Sequence, residues 1–269
     1  MEEKLHGLRA ILSRLGPTMV AFSGGVDSSF LLAVAAEVLR DEVIALMTVS
    51  SSTPPEDAEQ ARRLAAVLNV QLLIIPHDEL AMPEYAANPT NRCYFCKNSL
   101  YDICQREARR LSLRSIADGV NLDDLNDYRP GIQAAAAYSV VHPLLEARFN
   151  KAEIRRGSKL LGLPTWEKPA SPCLSSRVPY GTPITATMLS QIARAESFIR
   201  AQGFQELRVR HHGTTARIEI RKEDLAHLSV ATLKAMRHEL GDYGFPSSVL
   251  DMEGFRSGVF NEGLSTNDK

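Results

Sequence analysis

Residues 19–29 read MVAFSGGVDSS: an apolar run, Met19–Phe22, then the turn Ser23-Gly24-Gly25, then Val26-Asp27-Ser28-Ser29 leading into the helix-compatible stretch Ser28–Leu39. Two consecutive glycines let the backbone turn tightly and come close to a ligand. The N–H groups at a helix start lack intrahelical partners and carry the positive end of the helix dipole. Together with the hydroxyls of Ser23, Ser28 and Ser29 they form a cradle for an anion. The spacing is neither G-x-x-x-x-G-K-[ST] nor G-x-G-x-x-G. The plainer alternative makes Ser-Gly-Gly a turn and Asp27 a helix cap. The order strand, loop, helix favours the anion cradle.

Working outward, short β-rich runs alternate with helical stretches up to about residue 165. The runs Val43–Val49 and Val70–Ile75 are followed by Pro55–Leu68 and Lys97–Leu111, and a further run, Ser115–Ala117, ends at Asp118-Gly119. Such alternation predicts an α/β fold with a parallel sheet covered on both faces. Ligands of these sheets bind beyond the carboxyl ends of the strands. From Pro164 to Thr185 the composition shifts to PTWEKPASPCLSSRVPYGTPIT, whose prolines remove donors and restrict their neighbours. After it come a helix, Thr187–Ala201, two strands, Leu207–His211 and Ala216–Ile220, a helix, Glu223–Leu240, and a strand, Ser247–Leu250. The expected organisation is a parallel-sheet domain over 1–165, a Pro-rich crossing over 166–185, a small α+β domain over 186–258 and a disordered tail over 259–269.

Composition sets the outer bounds. The chain has 269 residues, 44% hydrophobic and 23% charged, ordinary values for a globular protein. Thirty-one Lys plus Arg against 32 Asp plus Glu leave a net charge of -1, so bulk charge draws the chain neither to nucleic acid nor to membrane. The apolar run around Phe30–Leu39 is broken by Glu37 and is shorter than the roughly 18 residues of a membrane span. MEEKLHGLRA lacks the pattern of a secretory signal, and a cytoplasmic location is expected. Cys93, Cys96, Cys104 and Cys173 then suggest metal or redox chemistry more than structural disulfides.

SGGVDSS resembles the pyrophosphate loop of the N-type ATP pyrophosphatases, the PP-loop superfamily with an adenine nucleotide alpha hydrolase-like fold. The resemblance implies ATP cleavage between the α- and β-phosphates, adenylation of a substrate oxygen, and Mg²⁺ held by Asp27. Three further segments, DGVNLDDLNDYRPG (118–131), WEKPASPCLSSRVPYGTPIT (166–185) and ELRVRHHGTTARIEI (206–220), resemble the LarE family. The similarity runs from about Leu5 to Gly254. It implies an ATP-dependent sulfurtransferase of nickel-pincer cofactor biosynthesis, which adenylates a carboxylate of pyridinium-3,5-biscarboxylic acid mononucleotide and makes a thiocarboxylate. Its implied partners are this mononucleotide, a sulfur donor and proteins of the cofactor pathway, and a homo-oligomer is expected.

Cys93-Tyr-Phe-Cys96 opens a helix, where thiol pKa values fall, and Cys173 lies in the Pro-rich crossing. Cys104 shares helical spacing with Leu100, Ile103, Ala108 and Leu111 and is expected in the core. Three thiolates can hold a [4Fe–4S] cluster with one iron open. Family members with a lone reactive cysteine in the loop corresponding to Ser171–Arg177 surrender its sulfur in one turnover. The CxxC makes this chain more similar to three-cysteine members implied to bind a cluster. A CxxC redox or persulfide relay, sacrificial Cys173 and plain structural thiols stand beside that reading.

Arg208 and Arg210 alternate with Leu207, Val209 and His211, so both guanidiniums share one strand face, suited to a phosphate or simply solvated. Glu196 and Glu219 match acidic family positions near the site; composition alone reads them as surface carboxylates. Ser176 and Arg177, beside Cys173, could contact the adenylate. Asp123, Asp124 and Asp127 form an acidic loop that could hold Mg²⁺, Asp124 foremost, or position Arg129, or merely form turns. Trp166 suits either packing or substrate contact. Rival functions are a tRNA thiolase, disfavoured by the net charge and the lack of a basic tail, an ammonia-using ligase, which would need a glutaminase, and a non-catalytic ATP-binding module.

Overall fold

A computed structural model describes residues 1–126, 130–169 and 171–256. It divides into two compact units, one formed by Met1–Ser50, Pro55–His77 and Asn91–Ser171, the other by Ser51–Pro54, Asp78–Thr90 and the chain from Pro172 onward. The predicted tail, 259–269, lies outside the described residues.

In the first unit, helix α1 (Glu2–Leu15) precedes strand β1 (Thr18–Ala21), helix α2 (Val26–Leu39), strand β2 (Val43–Val49), helix α3 (Pro55–Val67) and strand β3 (Gln71–Pro76). The short helix α4 (Pro83–Ala86) belongs to the second unit. Helix α5 (Arg92–Arg110), strand β4 (Ser115–Ala117) and helices α6 (Pro130–Ala137), α7 (Pro143–Glu146) and α8 (Lys151–Leu160) complete the first. All four strands are parallel, in the order β3-β2-β1-β4, with Val20 beside Ala45 on one side and Ala117 on the other.

The sheet is covered on both faces, which is why β1 is buried at every position and reads as a continuous apolar run. Val20 and Ala45 face α1 and α2, in a core with Leu8, Leu12, Phe30 and Leu31. Met19, Ala21 and Leu46 point the other way, toward Tyr101, Cys104 and Ala108 of α5 and Ala134 of α6. Helix α2 is apolar nearly all round, as its central position requires. Helix α8 begins with a capping box: Asn150 accepts from the Glu153 N–H and the Glu153 carboxylate accepts from the Asn150 N–H. Chain order reverses at β1, since β2 and β3 lie to one side and β4 to the other. Loops after β1 and β4 therefore flank a topological switch point.

The second unit contains helix α9 (Ala186–Ala201), strands β5 (Leu207–His212) and β6 (Thr215–Ile220), helix α10 (Val230–Asp242) and strand β7 (Ser247–Leu250). β5 and β6 form a hairpin through Gly213, whose φ of 63° suits glycine, and β7 joins β6 in parallel. Ile199, Leu207, Val209, Ile218, Met236 and Phe245 belong to its core. The helix expected over Glu223–Leu240 is interrupted. A 3-10 turn spans Lys222–His227, and α10 starts afresh because the Ser229 Oγ accepts from the Thr232 N–H at 3.0 Å, capping the new helix. Among the described residues no helix is long and apolar enough to cross a membrane.

Candidate active site

The 23–29 loop joins β1 to α2 at the switch point. Gly24 has a φ of 69°, and a Cβ there would stand 3.4 Å from Asp57 O, so backbone freedom and close approach are both used. Ser23 is exposed, but the other two hydroxyls turn inward. Ser28 Oγ is 3.2 Å from Gly25 O and 3.1 Å from Ser23 Oγ, tying the loop to itself. Ser29 is fully buried and its hydroxyl has no hydrogen-bond partner. The helix cap is Gly25, so Asp27 sits inside the first turn and is not the cap. Its Oδ2 pairs with Lys151 Nζ, while Oδ1 is buried without a hydrogen-bond partner. A buried, unsatisfied carboxylate oxygen is costly, and a cation on it would remove that cost.

Two lysines outside the sequence motif reach this loop. Lys151, the first residue of α8, meets Asp27, and Lys168 donates to Gly24 O at 3.1 Å and to Asp57 Oδ1 at 2.9 Å. Ser171 donates to Asp57 Oδ2 at 3.1 Å. Asp57 thus anchors both ends of the segment that leads toward Cys173.

The loop after β4 packs directly on the first turn of α2. A Cβ on Gly119 would lie 2.9 Å from Ser28 N and 3.2 Å from Asp27 Cβ. The preceding Asp118 is buried and accepts from Tyr101 Oη at 2.5 Å, with His142 Nδ1 at 2.6 Å from its other oxygen. Burial pushes the Asp118 carboxyl up, but the His142 hydrogen bond and the Lys97 ammonium outweigh it and hold the group below the usual carboxylate range. Tyr101 is pushed far up by burial and by the Asp118 charge, so it remains a donor. Asp123 Oδ2 accepts from the Lys151 N–H at 2.7 Å, and Asp124 Oδ2 accepts from the Asn121 N–H at 3.1 Å, so both carboxylates order backbone near α8 and within their own turn. Asp127 and Arg129 lie outside the described residues. The ring of Trp166 carries the Lys159 ammonium 4.1 Å from its centroid, a cation–π contact within the first unit.

In the second unit, Cys173 precedes a 3-10 turn, Leu174–Arg177. Arg177 is fully buried. Its Nε and Nη2 donate to the two Glu196 oxygens at 2.9 and 3.0 Å, and its Nη1 donates to Pro172 O, Cys173 O and Ser176 Oγ at 2.5, 3.0 and 3.0 Å. The sulfur-bearing loop is therefore held by one guanidinium. Glu196 also accepts from Arg200 at 2.9 Å and from the Val209 N–H at 3.0 Å. Burial raises its pKa, but Arg177, next in weight, and Arg200 bring it below the usual range.

Neither arginine of β5 is on a solvated face: Arg208 is 7% and Arg210 6% exposed. Arg210 pairs with Glu219 Oε2 at 2.9 Å and donates to Ser176 O at 2.9 Å. Arg208 donates to Leu207 O at 2.7 Å and lies 4.9 Å from the Phe255 ring centroid. Burial, then the charge of Arg177, lowers its pKa to about 10, with Arg210 and Arg200 adding to the effect and Glu196 opposing it. Glu219 is 1% exposed, so neither Glu196 nor Glu219 is a surface carboxylate.

None of the four cysteines is in a disulfide. Cys93 is exposed, Cys96 and Cys173 are half-buried, and Cys104 is buried in the core as its helical spacing predicted. Cys93 and Cys96 fall in the first two turns of α5, which starts five residues earlier than the apolar pattern suggested. Among the described residues, no three His, Cys, Asp or Glu side chains are grouped as a metal site would need.

Against known proteins, the NAD synthase family model matches residues 6–91. Over 266 residues the chain is 42% identical to an uncharacterized protein of Synechocystis, covering 98% of this chain and 99% of the relative. It is 36% identical over 259 residues to the pyridinium-3,5-bisthiocarboxylic acid mononucleotide synthase of Lactiplantibacillus plantarum, covering 96% and 94%. An uncharacterized protein of Methanocaldococcus jannaschii is 27% identical over 242 residues, covering 89% and 90%.

Proposed function

The chain belongs to the LarE family of ATP-dependent sulfurtransferases in the PP-loop superfamily, and we propose that it adenylates a carboxylate of pyridinium-3,5-biscarboxylic acid mononucleotide and replaces a carboxylate oxygen with sulfur. The observation that carries this reading is the construction of the 23–29 loop: amide donors at the α2 N-terminus, two glycines, and the partnerless Asp27 Oδ1, all at the switch point of the sheet. Asp27 would hold Mg²⁺, which neutralises the leaving pyrophosphate. A substrate carboxylate oxygen attacks the α-phosphorus, the bond to the bridging oxygen of the β-phosphate breaks, and pyrophosphate leaves. A sulfur nucleophile then adds to the activated carbonyl carbon and AMP departs.

The substrate's phosphate is assigned to the β5 arginines. Burial first, then repulsion from Arg177 with Arg210 and Arg200 adding to it, lowers the Arg208 pKa, while Glu196 opposes the shift. An added dianion would relieve that repulsion.

For the sulfur, Cys93, Cys96 and Cys173 supply thiolates of the right chemistry for a [4Fe–4S] cluster, and Cys104, buried, is withdrawn from it. When bound, such a cluster would supply an exchangeable sulfide at its fourth iron. Cys173 acting alone is the second reading, supported by the loop that fixes it, whose Pro172 and Cys173 carbonyls accept from Arg177 Nη1. The Cys173 Sγ would form a thioester with the activated carbon. Loss of the Cα proton and cleavage of the Cβ–S bond would then leave thiocarboxylate and dehydroalanine.

Product analysis tests the first half: AMP and pyrophosphate are expected, and ADP with phosphate would overturn it. Anaerobic reconstitution followed by mass analysis after turnover tests the second half. About four irons per chain, lost on replacing Cys93, Cys96 or Cys173, supports the cluster. Iron-free transfer ending in dehydroalanine at position 173 supports the lone cysteine.

A further inference from the structure

A triphosphate brings several negative charges, yet the only charged side chain in residues 23–29 is the acidic Asp27. A Walker-type loop carries its own lysine beside the phosphates. Here the compensating cations come from 124 and 144 residues away along the chain, as Lys151 on Asp27 and Lys168 on Gly24 O. The two are not equivalent. Lys168 is already neutralised by Asp57 at 2.9 Å, with side chains only 14% and 12% exposed. Lys151 has a side chain 38% exposed, and Asp27 is its one ionic partner among the described residues. Its backbone is fixed, because the Lys151 N–H donates to Asp123 Oδ2 at the start of α8. The side chain is thus tethered at its root and partly exposed along its length, with its ammonium on Asp27.

Asp27 meanwhile presents two unlike oxygens. Oδ2 is occupied by the ammonium, and Oδ1 is buried with no hydrogen-bond partner. A divalent cation on Oδ1 and an ammonium on Oδ2 of one carboxylate would repel each other strongly at so short a range. Phosphate oxygens arriving at the same loop offer the ammonium a replacement partner of the same sign as the one it leaves.

We propose that Lys151 is an exchangeable counter-ion, paired with Asp27 before nucleotide arrives and transferred to the ATP phosphates when a divalent cation takes the carboxylate. The inference rests on the reading of Asp27 as the metal-side carboxylate. Exchange gives the ammonium an anionic partner in both states, the carboxylate beforehand and the phosphates afterwards, and leaves the carboxylate to the metal. It also makes metal and nucleotide binding mutually dependent, since metal alone must displace the ammonium without offering it anywhere to go.

Binding measurements on the full chain test this without turnover. Mn²⁺ binding alone and pyrophosphate binding with Mn²⁺ are measured for the parent protein, Lys151→Met, Lys151→Arg and Asp27→Asn. Lys151→Met should bind Mn²⁺ alone about tenfold more tightly and pyrophosphate with Mn²⁺ about tenfold more weakly, the size of one charge-assisted contact. Lys151→Arg should keep parental pyrophosphate affinity. If Lys151→Met leaves both affinities unchanged, or weakens Mn²⁺ binding as well, the exchange is overturned while Asp27 can still be the metal ligand. If Asp27→Asn retains full Mn²⁺ affinity in the presence of pyrophosphate, the reading of Asp27 itself fails, whatever Lys151 does.

Discussion

Arg177 and Glu196 form a two-point ion pair, Nε to Oε1 at 2.9 Å and Nη2 to Oε2 at 3.0 Å, with neither side chain exposed. Removing Arg177 takes two charged hydrogen bonds from the buried Glu196 and leaves it Arg200 and the Val209 N–H, so the loss should fall short of the roughly 3–5 kcal/mol of a pair left wholly uncompensated. Arg177→Met should therefore lower the denaturant midpoint markedly. It should also increase protease cleavage around Cys173, because the same guanidinium holds the Pro172 and Cys173 carbonyls. Unchanged stability in this variant would mean that the pair contributes nothing net.

Arg208→Ala is the cleaner probe of the phosphate reading. Arg210→Ala would take the 2.9 Å partner from the buried Glu219 and leave it the more distant Arg217, mixing stability with binding. Loss of a charged hydrogen-bond donor costs about 1.5–3 kcal/mol, or roughly 10- to 150-fold in mononucleotide affinity. Calorimetry should show that loss with ATP affinity retained. Equal mononucleotide binding in the variant would assign Arg208 a purely structural role.

Two glycine-to-alanine changes should separate loop position from core packing. At Gly119 the new methyl meets backbone atoms of Ser28 and Asp27 at 2.9 and 3.1 Å, so the first turn of α2 must move and ATP affinity should fall. At Gly157 it meets the Phe30 ring at 2.6 Å, an overpacking that typically costs about 1–3 kcal/mol, and thermal stability should fall instead. Parallel melting curves and ATP titrations read the difference.

Acid stability follows from Asp118 and Glu196, whose carboxyls are both held below their ordinary values. A depressed carboxyl contributes stability that is complete above its unfolded pKa, about 4, and is lost as pH falls through the lower folded value. Stability should hold from neutrality to about pH 5 and decline below about pH 4. Asp118→Asn should be less stable at neutral pH and lose less on acidification. An acid limb as steep as that of the parent would remove Asp118 from this account.

Cys104 should resist alkylation in the native protein, since burial pushes its thiol up to about 12, with Asp118 adding to the effect and Lys97 opposing it. Peptide mapping after iodoacetamide treatment at pH 8 should find Cys93, the exposed thiol, modified and Cys104 intact. Modification of Cys104 at a comparable rate would show that α5 opens locally.

The sheet was legible because its central strands β1 and β2 are largely buried, so Val43–Val49, and at the edge Ser115–Ala117, stand out as runs with the bounds seen in the structure. The break before α10 was harder to see: Leu228-Ser229 interrupts the helix only because Ser229 caps the next one, and a serine within a helical pattern is not by itself a stop. At the site, Asp27 stands in its motif, but its partner Lys151 lies 124 residues away and carries no local signal. Arg177 was visible as a residue but not in its direction. The direction of the Arg177 guanidinium is set by Glu196, a carboxylate from another element.

The second unit draws its backbone from three separate stretches of chain. Within it, the Asn88 amide donates to Pro179 O at 2.8 Å and Thr182 O at 3.0 Å, Tyr85 and Ser175 share a hydrogen bond of 2.7 Å, and the Leu174 N–H donates to Ser52 O at 2.7 Å. A gene cut after Ser171 would not liberate a self-sufficient half, because the excised piece would leave behind residues 51–54 and 78–90 that hold the cysteine loop. Recombination between relatives at that junction would inherit the same defect unless both inner stretches travelled with the distal one. Shuffling by whole chains, or by exchange within a single strand–helix repeat, is the route this connectivity leaves open.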